Sequence, residues 1–172
     1  TTVAADTPES LLRRLGMVDP EASVYMRKHP LVRDALSRSG RSVSAEATAQ
    51  QRLVQLTVRW LQHENDTQFQ RLIVRRQADG LGVTVETVPM NTSIRLSGGT
   101  VSSSLYAASD EARLPDAVVS QLTDIFSSQI DFHRTLRKGA RFGVVYEVLE
   151  ADGEPLRTGK VTIGPAVVTT SY

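Results

Sequence analysis

The stretch from Leu114 to Val148 constrains the fold most, because a helix pattern is followed there directly by a strand pattern. Pro115 and Asp116 favour a helix start, and apolar residues then recur at three- and four-residue intervals. A second short helix is predicted over residues 132–138, before a glycine that suits its end. The β-branched and aromatic run Phe142–Val148 predicts a strand. The stretch therefore predicts the core of a small mixed domain.

Proline marks two helix starts and one helix end near the N-terminus. Thr7-Pro8 and Asp19-Pro20 predict helix N-termini, because Thr and Asp are good N-caps and Pro suits the first helical position. His29-Pro30 ends the second helix, since the residue before proline avoids the helical conformation. A third helical piece is predicted over residues 31–36. Three helical segments are thus predicted between Thr7 and Gly40, after a short polar lead over residues 1–6.

The pattern changes from helix to strand at Ser42, and an antiparallel meander is predicted. Asp66-Thr67 and Ala78-Asp79-Gly80 are turn signals between its strands. The apolar density of the second strand predicts an interior place for it, with Trp60 as a core anchor, and Arg71, Arg75 and Arg76 are predicted on a solvated face. The four predicted strands are Val43–Thr48, Leu53–Leu61, Gln68–Arg76 and Gly82–Val88.

The second half is predicted to form another small module. Its predicted elements are a strand over Thr92–Leu96, a loop over Ser97–Gly99, a helix over Ser102–Ala112 and the stretch described first. A closing hairpin is predicted across Asp152-Gly153, a strong tight-turn dipeptide. The fold class is therefore α+β, with a helix-plus-sheet module over residues 1–88 and a second module, with a helix pair and a hairpin, over residues 89–172.

Composition excludes several classes of function. The 20 basic and 19 acidic residues give a net charge of +1, which argues against electrostatic capture of nucleic acid. The absence of cysteine excludes disulfides and thiolate metal sites. The sequence contains no run of 18 consecutive apolar residues, the length that would predict a membrane-spanning helix. The chain starts without Met or a signal-peptide pattern, so we expect a mature or trimmed N-terminus.

One acid-free basic cluster, spanning residues 133–141, is a candidate contact site. Its cations could contact an anionic glycan, a lipid headgroup or an acidic surface of a partner, although cations are also expected at a helix C-terminus for structural reasons. The candidate contact residues are Arg134, Arg137, Lys138 and Arg141. Ser102, Ser103 and Ser104 follow one another, but the sequence has no nucleophile-elbow motif and no evident base for them. We therefore predict that these serines cap a helix and are not catalytic.

Two blocks of sequence resemble a known family. Ile130–Glu147, preceded by Ser102–Asp116, resembles the region just upstream of the catalytic domain in bacterial lysostaphin/LytM-type zinc endopeptidases, which cut peptidoglycan peptide cross-links in the envelope. The resemblance runs from about Thr7 to about Val161, covers only the non-catalytic part and departs after that point. It implies a first module somewhat similar to a LysM domain, and zinc in a catalytic domain that is absent from this chain.

The three histidines do not match the family's zinc ligands, a His followed four residues later by Asp and a later His-x-His pair. His29 has an acid five residues on, His63 has only Glu64 beside it, and His133 is followed by Thr135 and Arg137. A catalytic zinc normally takes three protein ligands. We therefore predict no metal site, no cofactor and no catalytic residue in this chain, and histidines at the surface or at helix ends.

Two functions remain open from the sequence. The first is a regulatory, positioning or autoinhibitory region of a zinc-dependent cell-wall endopeptidase in the periplasm or at the outer membrane. Its partner would be the catalytic domain, in the same parent chain or in a separate one. The resemblance also implies a mode of inhibition, because upstream domains of such endopeptidases can give the catalytic metal a carboxylate ligand. The alternative is a free-standing envelope module that binds peptidoglycan glycan strands or activates another cell-wall hydrolase.

Overall fold

The computed structural model describes residues 1–100, 105–129 and 141–165. The chain divides into two compact units, Thr1–Met90 and Asn91–Tyr172, each of which has its own antiparallel sheet. The structure is mixed α+β and mostly strand, so the predicted fold class is confirmed. Within the described ranges, no helix has the length and the apolar character needed to cross a bilayer.

Three short helices open the first unit, and each begins at a proline. They are α1 (Pro8–Arg14), α2 (Pro20–Lys28) and α3 (Pro30–Leu36). Thr7 caps α1 in a reciprocal pair with Ser10, because each hydroxyl oxygen accepts a hydrogen bond from the other residue's backbone N–H. His29 lies at the end of α2 and immediately before α3. The helix starts predicted at Thr7-Pro8 and Asp19-Pro20 are confirmed, and α3 begins one residue before the predicted third helical piece.

A four-stranded antiparallel sheet follows, in the order β1-β2-β3-β4. Its strands are β1 (Ser42–Ala47), β2 (Leu53–Trp60), β3 (Gln68–Gln77) and β4 (Gly80–Pro89). The meander and the interior place of β2 are therefore confirmed. Gly80 has a φ of +129°, a conformation that only glycine adopts readily, and it lets the chain reverse between β3 and β4.

One face of this sheet and the three helices form the core of the first unit. Leu56 and Val58 on β2 and Leu72 and Val74 on β3 are almost fully buried there, together with residues of all three helices. Trp60 is partly buried against the same core, and the guanidinium carbon of Arg41 lies 4.5 Å from its ring centroid. The prediction of Trp60 as a core anchor is confirmed.

The second unit is a three-stranded antiparallel sheet with two helices. Its elements are β5 (Asn91–Thr100), α4 (Leu105–Glu111), α5 (Asp116–Gln129), β6 (Arg141–Ala151) and β7 (Glu154–Pro165), and the strand order is β5-β6-β7. Val118 and Leu122 of α5 are fully buried in one hydrophobic cluster with Val144 and Tyr146 of β6. Residues four apart lie on one face of a helix, and residues two apart lie on one face of a strand, so one face of α5 packs in the same core as one face of β6.

Two expectations for this unit are confirmed and one is wrong. α5 begins at Asp116, and the β6–β7 hairpin turns at Asp152 and Gly153, which both have positive φ. The loop expected over residues 97–99 is wrong, because β5 continues to Thr100. Gly98 lies opposite Gly143 in the β5–β6 register, so backbone pairing outweighs the weak strand preference of glycine. The predicted helix over residues 132–138 and the N-terminal end of the predicted helix at Ser102 lie outside the described residues.

Candidate functional site

Of the four predicted contact residues, only Arg141 is described. It is the first residue of β6, it is exposed, and it lies opposite Thr100 in the β5–β6 register. Arg134, Arg137 and Lys138 lie outside the described residues. The basic contact site therefore stays a prediction, with one of its members placed at the start of a strand.

The described histidines do not form a metal centre. His29 lies between α2 and α3, its ring centroid is 5.7 Å from that of Tyr25, and its Nδ1 is buried without a hydrogen-bond partner. His63 is exposed in the loop between β2 and β3. In the part of the chain that the structure describes, no three His, Cys, Asp or Glu residues come together as metal ligands. The described histidines therefore do not fit a catalytic zinc.

A buried carboxylate at Asp19 is the centre of an ion-pair network in the first unit. Its side chain is 0% exposed and accepts hydrogen bonds from the backbone N–H groups of Ala22, at 3.1 Å, and Leu53, at 2.9 Å. Arg76 donates to it at 2.7 Å, and a nitrogen of Arg52 lies 3.5 Å away. Asp19 therefore caps α2 and ties that helix to the start of β2 and the end of β3.

Arg76 corrects the prediction that three arginines share a solvated face. Its side chain also donates to the carbonyl oxygen of Leu53, at 2.9 Å, and to Glu21, at 3.2 Å. Strand alternation places it on the same face as Leu72 and Val74, the face that packs against the helices. That alternation was visible in the sequence, and it was the signal that could have identified Arg76 as a partner of a helix.

The pKa of Asp19 is set by opposing causes. Burial raises this pKa, but the N–H donors of Ala22 and Leu53 and the charge of Arg76 together hold it below its ordinary value. A carboxyl group whose pKa is lowered by folding stabilises the native state above the ordinary pKa of about 3.9. That stabilisation is lost as the pH falls through the lower pKa of the folded state.

We therefore expect the stability difference between the wild type and Asp19→Asn to be largest at neutral pH. It should begin to shrink near pH 4 and continue to shrink below it, because protonation gives the wild-type side chain the same zero charge as asparagine. Denaturant midpoints measured for both proteins from neutral to strongly acidic pH test this expectation. Parallel curves over the whole range would contradict it.

A cleft of about 240 Å³ lies next to Asp19, between α1 and α2. Leu12, Met17 and Val18 contribute its apolar part, and Glu9 lies in its wall, where it forms an ion pair with Arg27. The oxygens of Asp19 already accept hydrogen bonds from the protein, so this cleft presents no unpaired buried polar group to a ligand. The Asp19 network is structural.

Solved structures of other proteins share this fold. Across 95% of its length, the chain superposes on Helicobacter pylori Csd3 with a TM-score of 0.54 and 15% sequence identity, and it spans 43% of that chain. It also aligns with a zinc containing peptidase from Vibrio cholerae, with a TM-score of 0.47, 17% identity, and coverage of 96% of this chain and 50% of that one. The superposition on Csd3 shows a shared fold.

The sequence matches no protein-family model and no curated protein. The likeness to Csd3, at 15% sequence identity, shows a shared fold. The chain spans less than half the length of Csd3, so the shared fold covers only part of that protein.

Proposed function

We propose that this chain is the non-catalytic, regulatory and positioning region of a zinc-dependent endopeptidase that cuts peptidoglycan peptide cross-links in the bacterial envelope. The observation that carries the proposal is the fold likeness to Csd3 over 95% of this chain, which extends across both units. The two sequence blocks that resemble the region upstream of a LytM-type catalytic domain support the same function. The partner is the catalytic domain, and zinc belongs to that domain.

By this proposal the region acts by contact, and one form of contact is autoinhibition. The open position of a catalytic zinc accepts a carboxylate oxygen, so an accessible acid on this region can block the metal. Glu64 is the better placed of the two acids we compare, because it is exposed in the β2–β3 loop and forms no ion pair within the described ranges. Glu86 is paired with Arg71, at 2.6 Å.

We expect the purified chain to release no fragments from purified peptidoglycan, with or without added zinc. We expect it to slow the endopeptidase catalytic domain from the same organism at least about fivefold, the lower end of usual coupling between sites. Muropeptide release, measured by chromatography with the catalytic domain alone and with the chain added, tests both expectations. Zinc-dependent release by the chain alone would overturn the proposal, and so would the lack of any effect on, or binding to, the catalytic domain.

Two matched variants test the carboxylate contact. Glu64→Gln removes a charge from an exposed loop, and Glu86→Gln removes one from a paired strand position on the same sheet. If a carboxylate reaches the metal, Glu64→Gln should relieve the inhibition and Glu86→Gln should retain it. Equal inhibition by both variants would exclude Glu64 as the blocking ligand and leave steric cover of the cleft as the mechanism.

A further inference from the structure

A second pocket, at one end of the four-stranded sheet, has a lining unlike that of the cleft beside Asp19. Its volume is about 240 Å³, and it lies against the loop that joins β2 to β3, the start of β3 and the end of β4. Three glutamines, two threonines, one histidine and one aspartate line it, with no aliphatic or aromatic side chain among them. We call it the polar pocket.

One wall of the polar pocket is a fixed pair of side chains. Gln70 on β3 lies opposite Thr87 on β4, and the Thr87 hydroxyl donates to Oε1 of Gln70 at 3.1 Å. Gln70 is only 9% exposed. With Oε1 occupied by Thr87, the Nε2 group of Gln70 has no acceptor among the described residues, so it is a held donor for a ligand. The oxygen of Thr87 can still accept a hydrogen bond.

The loop that forms the opposite wall is also held in place. The backbone N–H of His63 donates to Oδ2 of Asp66 at 3.0 Å, and the N–H of Asp66 donates to the carbonyl oxygen of His63 at 3.1 Å. The carbonyl oxygen of Thr67 accepts from the N–H of Met90 at 2.9 Å. Both walls are therefore formed before any ligand arrives, which lowers the ordering cost of binding.

The chemistry of the lining selects the class of ligand. The pocket presents amide and hydroxyl groups with one carboxylate and no Lys or Arg, so it disfavours anions and offers paired donors and acceptors to a neutral ligand. Its volume is below the roughly 300–1,000 Å³ of sites for drug-sized ligands, and so suits a single small ring. Trp60 lies opposite Gln70 on β2, on the same face of the sheet.

We propose that the polar pocket is a subsite for one ring of an uncharged saccharide, held by hydrogen bonds to Gln70, Thr87 and the Asp66 loop. The identity of that ring rests on the proposed function: in peptidoglycan it is the N-acetylglucosamine unit of the glycan strand. The pocket then holds the region on the glycan while the catalytic domain works on the peptide cross-links.

The test is a titration of the full isotope-labelled chain with the soluble trimer of N-acetylglucosamine, followed by NMR at pH 7.5. We expect shifts of the amide signals of residues 62–70 and Thr87, with a dissociation constant on the order of 1 mM, as ligand efficiencies imply for one ring. Thr87→Val keeps the shape of the side chain and removes the hydroxyl, so it should weaken binding about tenfold. Gln70→Leu should do the same.

Thr84→Val is the matched control, because Thr84 lies on the same strand with its side chain on the opposite face of the sheet. It should bind like the wild type. Shifts that are absent, that lie elsewhere or that persist unchanged in both pocket variants would overturn the inference, and so would equal shifts with inorganic phosphate.

The titration contains no catalytic domain. Sugar binding without any effect on the endopeptidase would therefore reject the proposed function and keep the pocket, and the reverse result would reject the pocket alone.

Discussion

Replacing Asp19 with alanine is expected to lower the free energy of unfolding of the first unit by about 3–5 kcal/mol, the range seen when one partner of a buried ion pair is removed. The substitution leaves the guanidinium group of Arg76, whose side chain is 30% exposed, without its shortest ion pair. It also leaves the N–H groups of Ala22 and Leu53 without their acceptor, and a buried donor without a partner is costly.

Glu21→Gln is the control for this substitution, because Glu21 pairs with the same arginine but is 65% exposed. Its expected cost is below about 1 kcal/mol, as for other exposed ion pairs. Denaturant unfolding followed by tryptophan fluorescence measures both variants, since Trp60 is the only tryptophan and reports on the first unit. A cost for Asp19→Ala no greater than that of the control would show that the network is dispensable.

Replacing Leu72 with alanine is expected to destabilise the same unit by about 2–5 kcal/mol. Leu72 is 1% exposed, lies on the interior strand β3 and packs in the core between the sheet and the helices. Truncation removes buried apolar surface and leaves a cavity that the rigid strands on either side cannot fill.

The control lies directly across the β3–β4 pair. Val85 is opposite Leu72 in the register and on the same face of the sheet, but it is 44% exposed. Val85→Ala should cost less than about 1 kcal/mol, mostly through strand preference. Trp60 fluorescence during denaturant unfolding again reports the result. Equal costs for the two truncations would mean that the core does not extend to Leu72.

The sequence predicted most of the fold because its strongest signals are local. Thr7-Pro8 and Asp19-Pro20 set helix starts through a fixed φ and a side chain that bonds to a backbone N–H three residues on. Asp152-Gly153 likewise set the hairpin through its own backbone conformation. The failure at residues 97–99 has a non-local cause, because the partner strand β6 supplied the hydrogen bonds that kept Gly98 extended.

The candidate sites were harder to predict than the elements. The basic cluster was proposed from a run of cations close in sequence, and only Arg141 of it is described. The polar pocket was missed, because Gln70 and Thr87 lie 17 residues apart and look like ordinary strand residues. No residue type in that set signals chemistry by itself, so only the β3–β4 register reveals the pair.

By itself, the sequence determined where two helices and the hairpin turn begin, where most strand segments lie and that the chain is α+β, since these depend on interactions within a few residues. Tertiary structure alone decided that Asp19 meets Arg76 across 57 residues and that Gln70 meets Thr87 at a pocket wall. The physical reason is strand register. Side chains alternate between the two faces of a sheet, so a shift of one residue in pairing would send each of these groups to the other side.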